Sequence, residues 1–542
     1  IYANLFVPLC KIFTIMKPTH IKALKITAIV FGSLVLVHGA ISLAINHVLH
    51  ERIEQRLVEQ VQVLDGKTIR YGKINMSLIS RAISIEDLYF NSTAGDSLMA
   101  DSLGFEVAVD RVRVLKVDFW DLLFHKDIII RSVVIQHPQT NLHLSEELFH
   151  PQSTSISASE EMLSFVARLN VDNVRIENAA LHWRMLDSHL RLDVDDINLA
   201  VDNFDFDFAT QTASYNDSTY AVSLSGIRVL TPDSLTFLSV EKFESRDAGP
   251  IVIKNFHEHC PVGYRELANR SHLPETWTAI DVPLVETSPI NIIAQILSQE
   301  VTVDTLKAKV SDMEVFEDLR YPNVDPYLMP QQILMAVEGP LKGKDIDASI
   351  DSLHYTMAAT DFHDGTLEIV NIKARIKDFG NRNRDEFRVA GSASFPGGGR
   401  ANLQLTMKMN KACDWSIKLS GKGLKGSAFN GFLRPLFGLG VNLDIDEVKA
   451  DYKGNKSTAA GDFKMLYHGL EILTFPGESA YDIINKNAKA IADLGNAFLP
   501  KSNPTLLPGS KGNLPSERPR EYNVKAERDP MKKVPVYLLS PV

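Results

Sequence analysis

The chain has 542 residues, a formal net charge of −10 at pH 7, and 45% apolar residues. This length is ample for a sizeable core and suggests three or four domains. The acidic balance, with no basic cluster among aromatic residues, argues against nucleic acid as the main partner. Three cysteines are too few for a disulfide framework, and the sequence leaves open whether Cys260 and Cys413 pair.

An uncharged run at residues 26–46 follows three lysines near the N-terminus. As a helix it would span about 31 Å, the thickness of a bilayer core. We therefore predict a signal-anchor here, with residues 1–25 in the cytoplasm. Residues 1–15 precede Met16, the expected natural start. A cleaved signal peptide is the alternative; the uncharged run favours the anchor because it continues past the poor cleavage site at 37–39.

A phrase of eight residues, apolar-x-apolar-Asp-x-apolar-x-apolar with polar residues at the x positions, occurs five times. The segments are 169–176, 192–199, 301–308, 348–355 and 443–450. A looser sixth, 83–90, has Glu86 in the aspartate position. Alternation predicts strands with one buried face. Two consecutive polar residues shift the alternation, so both halves face the same side only if the strand bulges or bends at the aspartate.

Alternation is most regular in the C-terminal half, where residues 401–410 alternate without an error. Glycine-containing connections at 396–399 and 421–423 suit turns between antiparallel strands. The pattern predicts a mainly β fold with an antiparallel sheet that has one wet face and one apolar face. Helical patterns are few. They occur at 48–64, 157–168, parts of 256–298 and 480–497.

So few helices cannot cover such a large apolar face, and large apolar patches are rarely left in water. Two sheets can pack face to face, one sheet can close into a barrel, or a curled sheet can form a trough for an apolar ligand. From patterning alone, the packed sandwich is favoured.

The order of several motifs resembles the AsmA-like family of Gram-negative envelope proteins, which are related to TamB-type proteins. The similar segments are Arg70–Leu78, Ala82–Phe90, the Leu-Leu segment 121–124, the strand and proline of 128–138, the five aspartate phrases, and the alternating strands of 387–475. The resemblance implies an elongated, curled antiparallel sheet with an apolar groove, called a β-taco or repeating β-groove. It also implies a single-pass inner-membrane protein whose bulk is periplasmic.

The resemblance and the patterns together predict a sequence of parts. They are a cytoplasmic N-terminus (1–25), the anchor (26–46), an N-terminal AsmA-like β domain (47–190), a middle β region (191–345) with a loop and helix insert near 256–298, an alternating-strand β-groove (346–480), and a short helix with a flexible tail (481–542).

We expect a non-enzymatic role in envelope lipid homeostasis, with phospholipid or another envelope lipid bound or conducted in the groove toward the outer membrane. The predicted lining is Leu403, Leu405, Met407, Met409, Trp415, Ile417, Leu419, Val441, Leu443 and Ile445. The alternative for these residues is the core of a β-sandwich. The alternative function is a scaffold that assists or regulates outer-membrane protein assembly through its edge strands, without binding lipid.

Sites for other chemistry are weak, and we predict no cofactor, no metal and no catalytic residue. The ligand types in 257–260 (His-Glu-His-Cys) lack the spacing of a zinc motif. The aspartates between Asp193 and Asp207 match no EF-hand loop. Residues 339–344 resemble a phosphate loop only superficially, because Asp345 stands where Ser or Thr is needed.

Overall fold

The computed structural model describes residues 67–77, 81–93, 103–116, 127–144, 168–185, 188–475, 477, 482–499, 501 and 520–531, with short gaps at 208–211, 215–218, 273–275, 293–294, 296–299, 322–323, 338 and 361–362. The predicted anchor at 26–46 lies outside the described residues. So do the helix predicted at 48–64 and all but the last residue of that at 157–168. No helix in the described part of the chain is long and apolar enough to cross a membrane.

The described chain is mainly β and forms two compact units. The N-terminal unit contains the described residues up to 255 and those in 289–299. The C-terminal unit contains 256–288 and the described residues from 300 onward.

The strands of the N-terminal unit are β1 (Lys67–Arg70), β2 (Lys73–Ser77), β3 (Ala82–Thr93), β4 (Leu103–Leu115), β5 (Asp127–Gln136), β6 (Gln139–Leu144), β7 (Arg168–Met185), β8 (Arg191–Asp207), β9 (Thr212–Ser214), β10 (Tyr220–Leu230) and β11 (Phe237–Arg246). β12 (Pro250–His259) has residues in both units. β1 and β2 pair with β3, which pairs with β4. β4 pairs with β5 and β6, and both pair with β7. β7 then pairs with β8, β8 pairs with β10, and β10 pairs with β11. The short strand β9 also pairs with β8.

The strands of the C-terminal unit are β13 (Thr276–Pro289), β14 (Val301–Asp318), β15 (Leu341–Thr360), β16 (His363–Gly380), β17 (Glu386–Ser394), β18 (Arg400–Lys408), β19 (Trp415–Lys425), β20 (Leu439–Gly454), β21 (Thr458–Thr474) and β22 (Arg520–Glu527). From β13 to β22 each strand pairs with the next in chain order, which gives a long mixed sheet. The helices are α1 (Tyr264–Ser271), α2 (Pro330–Ala336), α3 (Asn430–Phe437) and α4 (Asp482–Phe498), and a 3-10 turn (Gly426–Phe429) precedes α3.

The predicted antiparallel sheet needs a correction, because three strand pairs are parallel. They are β5 with β7, β6 with β7, and β14 with β15. Parallel neighbours need a connection of about a dozen residues or more that returns the chain to the same end of the sheet. Residues 145–167 and 319–340 are long enough for this, but alternation within strands carries no information about strand direction.

Other sequence predictions also differ from the structure. The stretch 256–298, expected to hold loops and short helices, contains the end of β12, then α1, and then β13. β13 is a strand that buries the side chains of Ile280, Val282 and Val285. The tail after residue 500, expected to be flexible, contains β22, which pairs with β21. β15 spans residues 341–360 and shares a ladder with β14.

The five phrase aspartates occupy the same kind of position in the sheet. They are Asp172, Asp195, Asp304, Asp351 and Asp446. Within the described residues each is skipped in the ladder, while pairing continues on both sides. In β15, Ile346 and Ile350 before the aspartate and Leu353 after it are all buried. The predicted shift of alternation is therefore present at Asp351, without an inserted residue, because the register is the same on both sides of the aspartate.

At four of these skipped positions the residue opposite the aspartate has left-handed backbone. The pairs are Asp172 with Asn203 (φ 54°), Asp195 with Gly226 (φ 64°), Asp351 with Asn371 (φ 53°) and Asp446 with Gly423 (φ 63°). Glycine, and less readily asparagine, adopts this conformation at low cost. A β carbon at Gly226 would also lie 2.3 Å from Asp195 Oδ2. Register shifts, the mark of a β-bulge, lie beside Asp195 in the β7–β8 pair and at Asp446 in the β20–β21 pair. Such bulges increase local twist and bend a strand.

A buried carboxylate lies at the β7–β8 ladder of the N-terminal unit. Asp193 is 2% exposed, accepts a hydrogen bond from Arg191 Nε and lies 2.8 Å from His182 Nδ1. Burial raises the pKa of Asp193, but the hydrogen bonds from His182 and Arg191 together outweigh burial, so the pKa lies below its ordinary value. Arg228 lies opposite Asp193 on β10 and pairs with the carboxylate of Asp195.

We expect Asp193→Asn to lower the free energy of unfolding by about 1–3 kcal/mol at pH 6, because charged hydrogen bonds are lost while their donors stay half-exposed. A carboxyl group with a depressed pKa stabilises the fold above its unfolded pKa of about 3.9, and this contribution disappears as the pH falls through the folded value. The wild type and variant should therefore converge below about pH 4 in urea titrations. Asp172→Asn, at a half-exposed carboxylate, is the matched control; a constant gap for Asp193→Asn across pH would contradict the prediction.

Candidate functional site

The ten predicted lining residues divide into two sets of different accessibility. Buried are Leu405, Met407, Met409, Trp415 and Ile417. Partly exposed are Leu403, Leu419, Val441, Leu443 and Ile445. Strand register explains the division, because the two sets lie in different rows across the sheet.

Two neighbouring rows on one face cross seven strands, from β14 to β20. The first, the buried row, contains Leu306, Ile346, Ile376, Val389, Leu405, Ile417 and Tyr452. The second, the furrow row, contains Ala308, Ala348, Ala374, Gly391, Leu403, Leu419 and Ala450. All of the buried row except Leu306 is buried, whereas all of the furrow row except Ala374 and Ala450 is partly exposed.

The furrow row is a shallow apolar track. Five of its seven residues are alanine or glycine, so their side chains rise less above the sheet than the larger side chains of the buried row. Seven strands spaced at about 4.8 Å make the track about 29 Å long. Half of a bilayer core, the length of one acyl chain, is about 15 Å. The track is therefore long enough for an extended lipid chain.

One end of the apolar face is covered by residues 324–337, the crossover segment, which includes α2. Gln331 Nε2 donates to the carbonyl oxygens of Cys413 and Asp414 at 3.3 and 3.4 Å. Asn381 Nδ2 donates to the carbonyl of Leu334 at 3.4 Å, and its Oδ1 accepts from Leu341 N at 2.9 Å. Met409 and Trp415, which are buried, lie beside the hairpin end that Gln331 contacts.

The other three predicted residues, Val441, Leu443 and Ile445, lie on the far side of the bulge at Asp446. They pack beside the 3-10 turn, since a β carbon at Gly426 would lie 2.8 Å from that of Leu443. Asn430 at the start of α3 fixes this end by accepting from Val441 N at 2.8 Å. The ten residues are thus divided by the bulge between two parts of the face.

The chemistry of the two rows is that of a binding surface. Their only ionisable side chain is Tyr452, which is 1% exposed. Burial and the nearby Asp462 raise the pKa of Tyr452 to about 12. It is therefore a neutral phenol at physiological pH. The rows supply apolar contact and no acid, base or nucleophile for a reaction.

A hollow of about 560 Å³ at β13–β17 is lined by charged residues of the polar face and by Ala308, Ala348, Ala374 and Gly391 of the furrow row. Four charged residues of its lining, Glu286, Lys307, Asp347 and Arg375, are consecutive partners across the strands. Opposite charges at neighbouring cross-strand positions stabilise a sheet. These side chains are therefore explained by mutual pairing on the solvated face.

The weaker sequence candidates do not come together as a site. His257 is in β12, and its Nδ1 lies 2.6 Å from Asp281 Oδ1. No group of three or more potential metal ligands is close enough to hold an ion within the residues that the structure describes. No disulfide joins Cys260 and Cys413. Burial raises the pKa of the Cys413 thiol.

Sequence reasoning missed the small residues of the furrow row and the residues of the crossover segment. Ala308 and Ala348 lie inside aspartate phrases, so aligning those phrases would have indicated them. Ala374 and Gly391 carry no such signal. A scan against protein-family models finds no match to the chain, and a search of curated proteins finds no significant match.

Proposed function

We propose that the protein is a non-enzymatic carrier that holds lipid acyl chains along the furrow row of the C-terminal unit. The observation that carries the proposal is a continuous apolar track across seven strands, partly accessible at five of its seven residues, beside a row that is buried at six of seven. Each CH₂ group shielded from water is worth about 0.8 kcal/mol. The track offers that shielding, and the opposite face of the same strands is polar.

The proposal includes a place in the cell. The resemblance to AsmA-like proteins and the uncharged run at 26–46 support a single-pass inner-membrane protein of a Gram-negative bacterium, with its bulk in the periplasm and a role in moving phospholipid toward the outer membrane. We propose that the sheet of the C-terminal unit curls around the furrow row as a β-groove. The register shift at Asp446 supports this, since a bulge bends its strand.

An assembly scaffold without lipid is the second candidate. The observation that favours it is β22, which pairs with β21 and has no second strand partner among the described residues. An edge strand can accept an extended segment of another protein by β-augmentation.

Site-specific photo-crosslinking in cells separates the two candidates. A benzophenone amino acid replaces Leu403 or Leu419 in the full chain, and matched controls carry it at Gln404 or Lys418, the adjacent residues on the polar face. We expect light-dependent lipid adducts, identified by mass spectrometry, at the two leucine positions at least about tenfold above the controls, because only their face shields acyl chains from water.

The result that would overturn the carrier is equal adduct formation on both faces, or none on either. The same amino acid at Asn523 or Lys525 in β22 tests the scaffold. Protein adducts there, without lipid adducts at Leu403 and Leu419, would replace the first candidate by the second.

A further inference from the structure

Exposed apolar side chains are concentrated at the covered end of the apolar face. Nine large apolar side chains are exposed among the described residues, and four of them lie on or beside the crossover segment. They are Val324, Leu328, Ile333 and Met531, with exposures of 62%, 54%, 39% and 42%. Tyr327 N donates a hydrogen bond to Pro530 O in the C-terminal segment at 2.9 Å, which places Leu328 close to Met531.

Three exposed cations lie at the hairpin ends around these side chains. They are Arg384 between β16 and β17, Lys411 between β18 and β19, and Lys456 between β20 and β21. Backbone hydrogen bonds join the hairpin ends: Arg384 N donates to Met409 O at 2.7 Å, and Lys456 N donates to Ala412 O at 2.9 Å. The three cations and the four apolar residues together form one surface, the tip surface.

The carboxylates of these turns accept hydrogen bonds from N–H groups within their own turns. Asp385 Oδ2 accepts from Arg382 N at 2.8 Å, and Asp414 Oδ2 accepts from Asn410 Nδ2 at 2.9 Å. Asp529 Oδ1 accepts from Met531 N at 3.0 Å. Asp325 is the exposed acid of the crossover segment. The cations, in contrast, form no ion pair within 4.0 Å to any residue described.

We propose that the tip surface docks on an anionic lipid bilayer, with Leu328 and Ile333 entering the headgroup region and the three cations contacting lipid phosphates. Apolar side chains flanked by Lys and Arg are the features that bind such interfaces. The inference rests on the proposed function, because it places the covered end of the furrow against the membrane that donates or accepts lipid.

A vesicle-capture assay tests it. The full chain is reconstituted in phosphatidylcholine vesicles, and a second, fluorescent vesicle population contains phosphatidylglycerol or phosphatidylcholine alone. Captured fluorescence is measured after flotation. We expect the anionic vesicles to be captured at least about tenfold more than the neutral ones, and this capture to be lost in Arg384→Glu/Lys411→Glu/Lys456→Glu and reduced in Leu328→Ser/Ile333→Ser.

The matched control is Lys309→Glu/Lys373→Glu/Lys422→Glu, which makes the same charge change at exposed lysines away from the tip surface and should capture as the wild type does. Equal loss in this control would overturn the proposal, because net charge alone would then explain capture. Unchanged capture by the tip variants would also overturn it. Lipid crosslinking at Leu403 is measured in parallel: anionic capture without that adduct would reject the carrier and support the tip surface by itself.

Discussion

Asp318→Ala is expected to lower the free energy of unfolding of the C-terminal unit by about 3–5 kcal/mol, because it leaves a buried guanidinium without its partner. Asp318 is fully buried, and the Arg320 side chain is 11% exposed. Arg320 Nε donates to both carboxylate oxygens at 2.9 and 3.0 Å. The pair lies where the chain leaves β14 toward the crossover segment.

The double variant Asp318→Ala/Arg320→Met shows whether the unpaired charge is the cause. Removing both partners of a buried ion pair is often close to neutral, so we expect the loss to shrink to about 1 kcal/mol. Urea denaturation followed by hydrogen exchange of peptides from β14 and 324–337 gives the local stability. If the double variant is as unstable as Asp318→Ala, the loss of unfolding free energy comes from packing around the aspartate. The unpaired guanidinium is then not its cause.

The strands and the shifts of alternation within them could be predicted from the sequence because their cause is local. The aspartate phrase carries both the alternation and its shift, and all five phrases lie in strands with the aspartate skipped. The residues opposite them, such as Asn203 and Gly226, could not be predicted, since each belongs to another strand. Parallel pairing of β14 and β15 escaped prediction for the same reason, because it depends on where the connecting chain returns.

The candidate site was predictable only in part. Alternation indicated which side of β18 and β19 is apolar, and it cannot separate a packed row from an accessible one. That difference comes from the residues opposite in the next strands. Leu403 faces Gly391, whereas Leu405 faces Val389. The crossover segment then buries one end of the face, a tertiary contact with no signal in the strands that it covers.

Trp415→Ala is expected to cost about 3–5 kcal/mol of unfolding free energy, because it removes a large side chain from a packed site. Trp415 is 3% exposed, and its Nε1 donates to Asn455 O at 3.2 Å. Its ring also fills the space beside Gly454, where a β carbon would lie 2.5 Å from it. Trp415→Phe keeps most of the ring and loses the hydrogen bond, so about 1–2 kcal/mol is expected. Hydrogen exchange of β18–β20 peptides in urea measures both.

Leu403→Ala in the furrow row is compared with Trp415→Ala to test whether the furrow is accessible or closed by packing. A leucine that stays partly exposed loses little buried area on truncation and leaves no closed cavity, so about 1 kcal/mol is expected. A loss of 2–5 kcal/mol, typical of a fully packed leucine, would mean that the furrow is closed by packing and unavailable to lipid. A small loss at Leu403 beside a large one at Trp415 is the energetic pattern of a groove that is covered at one end and accessible along its length.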